Sequence, residues 1–185
     1  MMLTTVDKAK SLLGIPADDE SVNGQLLLYL SAASSAIETY CRRSFRLQEY
    51  KDRKHDGIKG KYLLLEGYPI LQVSKVQVDD VDVTDYQVDP ERGMLFRQDG
   101  WQAEERKITV SYTGGYVLPS DATAENPQTL PESLELACIL FCQTLMRTPG
   151  VTSERVGDLA VTYGNEGEGL PTAVRSLVDL FKRWG

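Results

Sequence analysis

Apolar residues recur at three- and four-residue steps near both ends of the chain and at two-residue steps in the middle. The pattern therefore reads helical, then extended, then helical. Thr5 caps a short first helix in which Val6, Ala9, Leu12 and Leu13 share a face, and Gly14 followed by Pro16 ends it. Asp18, Asp19, Glu20 and Ser21 supply acidic and capping groups for a second start. Val22, Leu26, Leu30, Ala33, Ile37 and Cys41 then recur mostly every fourth residue. This predicts a long helix over 19–43, roughly 35 to 40 Å at the standard rise.

The middle third alternates. Tyr62 to Leu65 precede a Gly67-Tyr68-Pro69 turn, with Ile70, Val73, Val76 and Val78 after it. Acidic and glycine turn residues separate short strands expected at 81–83, 86–88 and 94–97, read as successive hairpins. Ile108, Val110 and Tyr112 mark a half-buried strand that Gly114-Gly115 ends. The polar, proline-bearing stretch 118–130 reads as an exposed connector. Pro131 opens a third helix, apolar from Leu134 to Leu145 and expected to be buried nearly all round. Leu159, Val161 and Tyr163 form another alternating segment, 164–169 reads as a flexible acidic loop, and Pro171 opens a last helix carrying Val174, Leu177, Val178, Phe181 and Trp184. The expected fold class is α+β: a mainly helical subunit of about four helices with an inserted antiparallel β-hairpin region. We expect a single domain over 1–185, divided into N-terminal helices (1–45), a β insertion (46–117), a connector loop (118–130) and C-terminal helices (131–185).

Charge narrows the function. Lys plus Arg number 20 against 27 Asp plus Glu, a formal net charge of -7 that repels a phosphate backbone. The densest basic stretch, Lys51, Arg53, Lys54, Lys59 and Lys61, is broken by Asp52 and Asp56 and reads as a solvated loop or edge. Three cysteines, Cys41, Cys138 and Cys142, sit in helical apolar patterns, which suits buried thiols in a reducing compartment. No apolar stretch approaches a membrane span and the N-terminus lacks a leader pattern, so a soluble, cytoplasmic chain with no membrane association is expected.

Catalytic constellations are missing from the sequence. His55 is the only histidine and reads as an exposed loop residue, so neither a second-histidine triad nor a multi-histidine metal site can be built. Cys138 and Cys142 share a helical face without further soft ligands nearby. The 164–169 loop carries Glu166 and Glu168 but no lysine, and would repel a phosphate. Asp79-Asp80 and Glu104-Glu105 read as solubilising turn residues. We therefore expect no catalytic site, no metal and no cofactor. Tyr112, Tyr116, Tyr163, Phe181 and Trp184 either pack internally or anchor a protein interface.

The order of elements resembles the head-tail connector (adaptor, head-completion) subunits of tailed bacteriophages, and several strings carry the likeness. They are Ala36-Ile37-Glu38-Thr39-Tyr40-Cys41-Arg42-Arg43-Ser44-Phe45 at a helix end, and Leu65-Glu66-Gly67-Tyr68-Pro69-Ile70 with Val73 and Val76. Val110 to Tyr116 with Leu118-Pro119, Leu130 to Ala137, and Ser153 to Tyr163 complete the series. The resemblance implies a structural virion protein at the head-tail junction, assembled in the bacterial host cytoplasm. It implies a homo-oligomeric ring, a dodecamer in the particle, between the portal protein and a downstream tail or stopper protein, with DNA passing through without specific binding. Candidate interface residues are Tyr112, Tyr116, Arg155, Val161, Tyr163, Leu177, Phe181 and Trp184. Phe181 and Trp184 would anchor the terminal helix on a neighbour or the portal, and 159–163 would add a strand to an adjacent sheet edge. The competing reading is a non-catalytic protein-protein adaptor module outside a virion; a small hydrolase is a distant third.

Overall fold

The computed structural model describes residues 2–102, 104–146, 153–156, 159–162 and 169–183, with backbone pairing alone for 153–162. It is an α+β protein whose contacts divide into two compact units. Unit 1 comprises 1–42, 118–122 and 130–185; unit 2 comprises 43–117 and 123–129.

Unit 1 is built on helices. In α1 (Val6–Leu13) the Thr5 side chain accepts a hydrogen bond from Lys8 N–H, and Gly14 closes the helix in the left-handed region. The expected long second helix is divided. Asp19 caps a 3-10 turn (Glu20–Val22), and α2 runs from Asn23 to Cys41, where Arg42 turns left-handed and its N–H closes on Glu38 and Thr39. Its 19 residues span about 28 Å, shorter than the spacing predicted because the acidic start belongs to the tighter turn. Leu26, Leu30, Ala33 and Ile37 are buried along the face of α2 that includes the α3 (Glu132–Met146) contact. Each buried leucine there contributes roughly 2–3 kcal/mol. Ser34 supports this contact by accepting from Leu3 N–H while donating to the Leu30 carbonyl. The terminal helix α4 (Thr172–Val178) buries Val174 and Val178, and a 3-10 turn (Asp179–Phe181) replaces the expected continuation. Arg183 N–H bonds back to the Cys41 carbonyl, and Tyr40 donates to Asp179 at 2.7 Å.

Unit 2 holds two antiparallel sheets. The larger has the order β1 (Gln48–His55), β7 (Ile108–Gly114), β3 (Ile70–Val78), β4 (Val81–Asp82). The smaller has the order β2 (Tyr62–Leu64), β6 (Met94–Phe96), β5 (Gln87–Asp89). The run of successive hairpins is only partly realised: β3–β4 and β5–β6 are hairpins, whereas β2 pairs with β6 across some thirty residues of chain. Asp79 and Asp80 both take positive φ between paired Val78 and Val81, the conformation a two-residue turn needs to match strand twist. Of the basic stretch, Lys51, Arg53 and Lys54 lie in an edge strand, β1, interrupted by a bulge at Asp52 whose N–H bonds Ser111 Oγ, while Lys59 and Lys61 lie in the loop that follows. Bulge and charge together keep such an edge from pairing with stray strands. His55 is not a loop residue: it closes β1 opposite Ile108 and is half-buried.

The expected connector is partly folded. Thr129 N–H donates to the Val117 carbonyl and its hydroxyl accepts from Val117 N–H, while Thr123 and Asn126 bond each other. In unit 1, β9 (Leu159–Thr162) pairs antiparallel with β8 (Ser153–Val156), so the expected lone segment has a local partner. The acidic loop expected at 164–169 lies, up to residue 168, outside the described residues.

The interior of unit 2 turns on Tyr112 and Trp101. Tyr112 stacks on Tyr50 with ring centroids 4.6 Å apart, and its hydroxyl accepts from Glu66 N–H and Gly67 N–H. Burial pushes this phenol up to about 12, whereas an unfolded tyrosine titrates near 10. The unfolded chain thus loses the proton first as pH rises. The stabilisation is complete below pH about 10 and is lost on approaching about 12, on the order of 2–3 kcal/mol. Denaturant titrations across that window should show the decline, and Tyr112→Phe should make it shallower by the part that Tyr112 contributes. At neutral pH the same variant should cost about 1–3 kcal/mol, because two backbone donors lose their acceptor.

Candidate functional site

Helices α1, α3 and α4 frame a cleft of about 410 Å³ in unit 1, lined by Leu12, Leu136, Ile139 and Leu177 with Lys8, Glu132, Ser133 and Glu135 at its polar side. Leu136 is an exception to the expectation that α3 is buried all round: it is 40% exposed, and Leu12 is 57% exposed. Glu135 is buried, taking the Lys8 ammonium at 2.8 Å and the Thr4 hydroxyl at 3.3 Å. The cleft thus offers apolar contact with its buried carboxylate already neutralised. Such a surface suits an apolar protein segment, since polar groups that would activate or orient a small substrate do not converge there.

The outer side of α2 is a second apolar surface. Leu28 is 68% exposed and stands among exposed Gly24, Ser31, Ala32 and Ser35. No charged residue occurs from Ser21 to Ile37, in a chain that is 25% charged. Leu180, in the turn after α4, is exposed as well.

The expected interface residues fall in different places. Leu177 lines the cleft, and Phe181 is half-buried in the terminal turn. Tyr112 belongs to the interior of unit 2, where its hydroxyl is engaged by backbone, so it presents nothing to a neighbour. Tyr116 is half-buried in unit 2, with the Arg43 guanidinium 5.8 Å from its ring centroid, and burial raises its phenol pKa. Arg155 lies opposite Ala160 and Val161 opposite Glu154 in the β8–β9 hairpin. Their side chains, with Tyr163 and Trp184, lie outside the described residues. Leu12, Leu28, Leu136 and Leu180 were not anticipated. The uncharged run through α2 was a usable signal for Leu28, whereas Leu12 and Leu136 read as core leucines.

The thiols are structural. Cys41, Cys138 and Cys142 are buried and unbridged. Burial pushes Cys138 up to about 11, with Ser34 Oγ 3.3 Å from its sulfur, and also raises Cys142. Thiols held this far above neutral pH are poor nucleophiles. Among the described residues, no group of three or more His, Cys, Asp or Glu side chains is placed to hold a metal ion, and no helix is long and apolar enough to cross a membrane.

The family model for head completion proteins matches residues 2–184. The chain belongs to the head completion protein family. Among solved structures, this family member is similar to a chain from the neck of an empty gene transfer agent (GTA) particle computed with C6 symmetry. The two are 18% identical with a TM-score of 0.60, over 99% of this chain and 91% of that one. A chain from the neck of the native GTA particle computed with C12 symmetry is 16% identical with a TM-score of 0.54, over 100% and 95%. A chain from the virion of the native particle gives 16% and 0.54, over 88% and 78%. At these identities the likeness is one of fold. No curated protein matches the chain.

Proposed function

We propose that this head completion protein is a non-catalytic structural subunit of the head-tail junction in a phage-like particle. In this reading it forms a ring, twelvefold in the particle, between the portal and the next tail-proximal or stopper protein. The family match over residues 2–184 carries the reading. The fold shared with neck chains of particles computed with C6 and C12 symmetry supports a cyclic assembly. The surface chemistry supports it too: unit 1 exposes apolar patches of the kind that bury against protein. The net charge of -7 suits a conduit through which DNA passes without sticking. Subunits would be made in the host cytoplasm and act at the junction.

The terminal segment is a further contact in this proposal. Val174 and Val178 are buried within unit 1, and the exposed Leu180, with half-buried Leu177 and Phe181 beside it, would meet a neighbour or the portal. Trp184 extends that anchor, Arg155, Val161 and Tyr163 offer a strand edge, and Tyr116 is a partly exposed aromatic contact. Leu180 is 90% exposed, so Leu180→Asp should change fold stability by no more than about 0.5 kcal/mol. It should lower the yield of tailed particles by at least about tenfold, the effect of losing roughly 1.4 kcal/mol at a contact. The test is to remove the chain from particle-producing cells, restore it as wild type or as Leu180→Asp, and count tailed and tailless heads by electron microscopy. Normal tailing without the chain would overturn the proposed function; normal tailing with Leu180→Asp would overturn the terminal contact alone.

A further inference from the structure

We infer that the outer face of α2 in one copy seats in the α1/α3/α4 cleft of the next, making the joint between ring neighbours. This rests on the ring reading above and assigns it a surface. The two patches lie on opposite sides of the packed α2–α3 pair. On α3, Cys138 faces α2 through Ser34 and the Leu30 carbonyl. Leu136 lies about 160° around the helix from Cys138 at 100° per residue. On α2, Leu30 faces inward, and Leu28 lies about 160° from it by the same spacing. Two different patches on opposite sides describe a heterologous contact, the kind that generates rings; a two-fold dimer would use one self-complementary patch.

The patches also match in shape and charge. Leu28, the most exposed large apolar side chain of α2, is a knob on an uncharged surface it shares with Gln25 and the small residues Gly24, Ser31, Ala32 and Ser35, which let a partner approach the α2 backbone. The cleft is a concave volume of about 410 Å³ with Leu12, Leu136, Ile139 and Leu177 on its walls. The α2 face carries no charge, and the cleft's buried Glu135 is already paired with Lys8. Joining them therefore strips water from apolar surface with the Glu135 charge already paired, while Glu132, the cleft's other carboxylate, is exposed at its polar side. A soluble chain that needed α2 only as a core helix would gain solubility from charge on this face.

Native mass spectrometry and light scattering of the full chain over a concentration series test the joint. Leu28→Glu blocks the knob and Leu136→Glu blocks the cleft. Each should weaken association on the order of 100-fold or more, because a carboxylate is driven into an apolar contact. A 1:1 mixture should give a discrete dimer and nothing larger, since it restores one intact knob and one intact cleft. Leu28→Lys and Leu12→Lys, both at exposed positions, repeat the test with the opposite charge, and unchanged melting temperatures show that folding is intact. Wild-type-sized assemblies from either blocked variant would overturn the joint while leaving the ring reading in place. Absence of the mixed dimer would overturn the pairing of these two patches. A wild-type chain that stays monomeric at every concentration would overturn self-association of this chain, and the joint with it.

Discussion

Trp101→Ala will lower the stability of unit 2 by about 3–5 kcal/mol, the range for removing a fully buried large aromatic. Trp101 has no exposed surface and lies in the cluster with Leu63, Leu65, Leu95 and Ile108. Its indole N–H donates to the Lys61 and Leu95 carbonyls, both at 3.1 Å. Ile58 and Trp101 form a backbone bridge, and Tyr86 packs on the ring with centroids 6.4 Å apart. The alanine variant therefore loses both the apolar volume and the donor that ties the 60s loop to β6. Trp101→Phe should retain much of the burial and cost roughly half as much, with the missing hydrogen bond as its main defect. Urea titrations followed by far-UV circular dichroism measure both. A loss under about 1 kcal/mol for Trp101→Ala would show that this ring does not organise the small sheet.

Gly115→Ala is expected to cost about 3–4 kcal/mol, for two reasons that act together. Gly115 has φ of +113°, a conformation that L side chains adopt only under strain. A Cβ there would stand 2.5 Å from the Arg46 carbonyl oxygen and 2.9 Å from Leu47 N. Both are backbone atoms held in place, since Gly115 N–H bonds Pro69 O, Tyr116 N–H bonds Phe45 O, and Leu47 N–H bonds Tyr116 O. Relief would break this crossing of chain segments next to β1 and β7. Gly14→Ala separates the two causes: Gly14 has φ of +70° but no atom within 4 Å of its added Cβ. That control should lose only about 1 kcal/mol. Thermal melts of the two variants compare them directly, and equal losses would mean that the contact with Arg46 contributes nothing.

How far the chain reveals itself depends on the range of the interaction. Thr5, Gly14 and Pro171 mark helix ends through bonds or dihedrals within a few residues, and those ends lie where the pattern puts them, to within a residue. Ile108 to Tyr112 alternate cleanly and form β7, but the strand is not half-buried as the alternation predicts: paired with both β1 and β3, it buries Thr109 and Ser111 as well. By contrast, β1 contains Lys51, Asp52, Arg53 and Lys54, with no apolar alternation to announce it. It becomes a strand because β7 offers a free row of backbone donors and acceptors from some sixty residues away. Thr129 looks like one polar linker residue among many until Val117 supplies its partners.

The same division holds for the interaction surfaces. By itself the sequence determined the α+β class, the starts of the first, third and last helices, the acidic balance and the absence of a second histidine for a triad, because composition, period and caps act locally. It also carried the ordered strings whose likeness leads to the head completion proteins. Only the tertiary structure decided that Tyr112 faces inward while Leu12, Leu28, Leu136 and Leu180 face solvent. A helical period records which residues are apolar; which of them remain exposed depends on how many neighbours pack around each helix, and that is settled only when the elements meet.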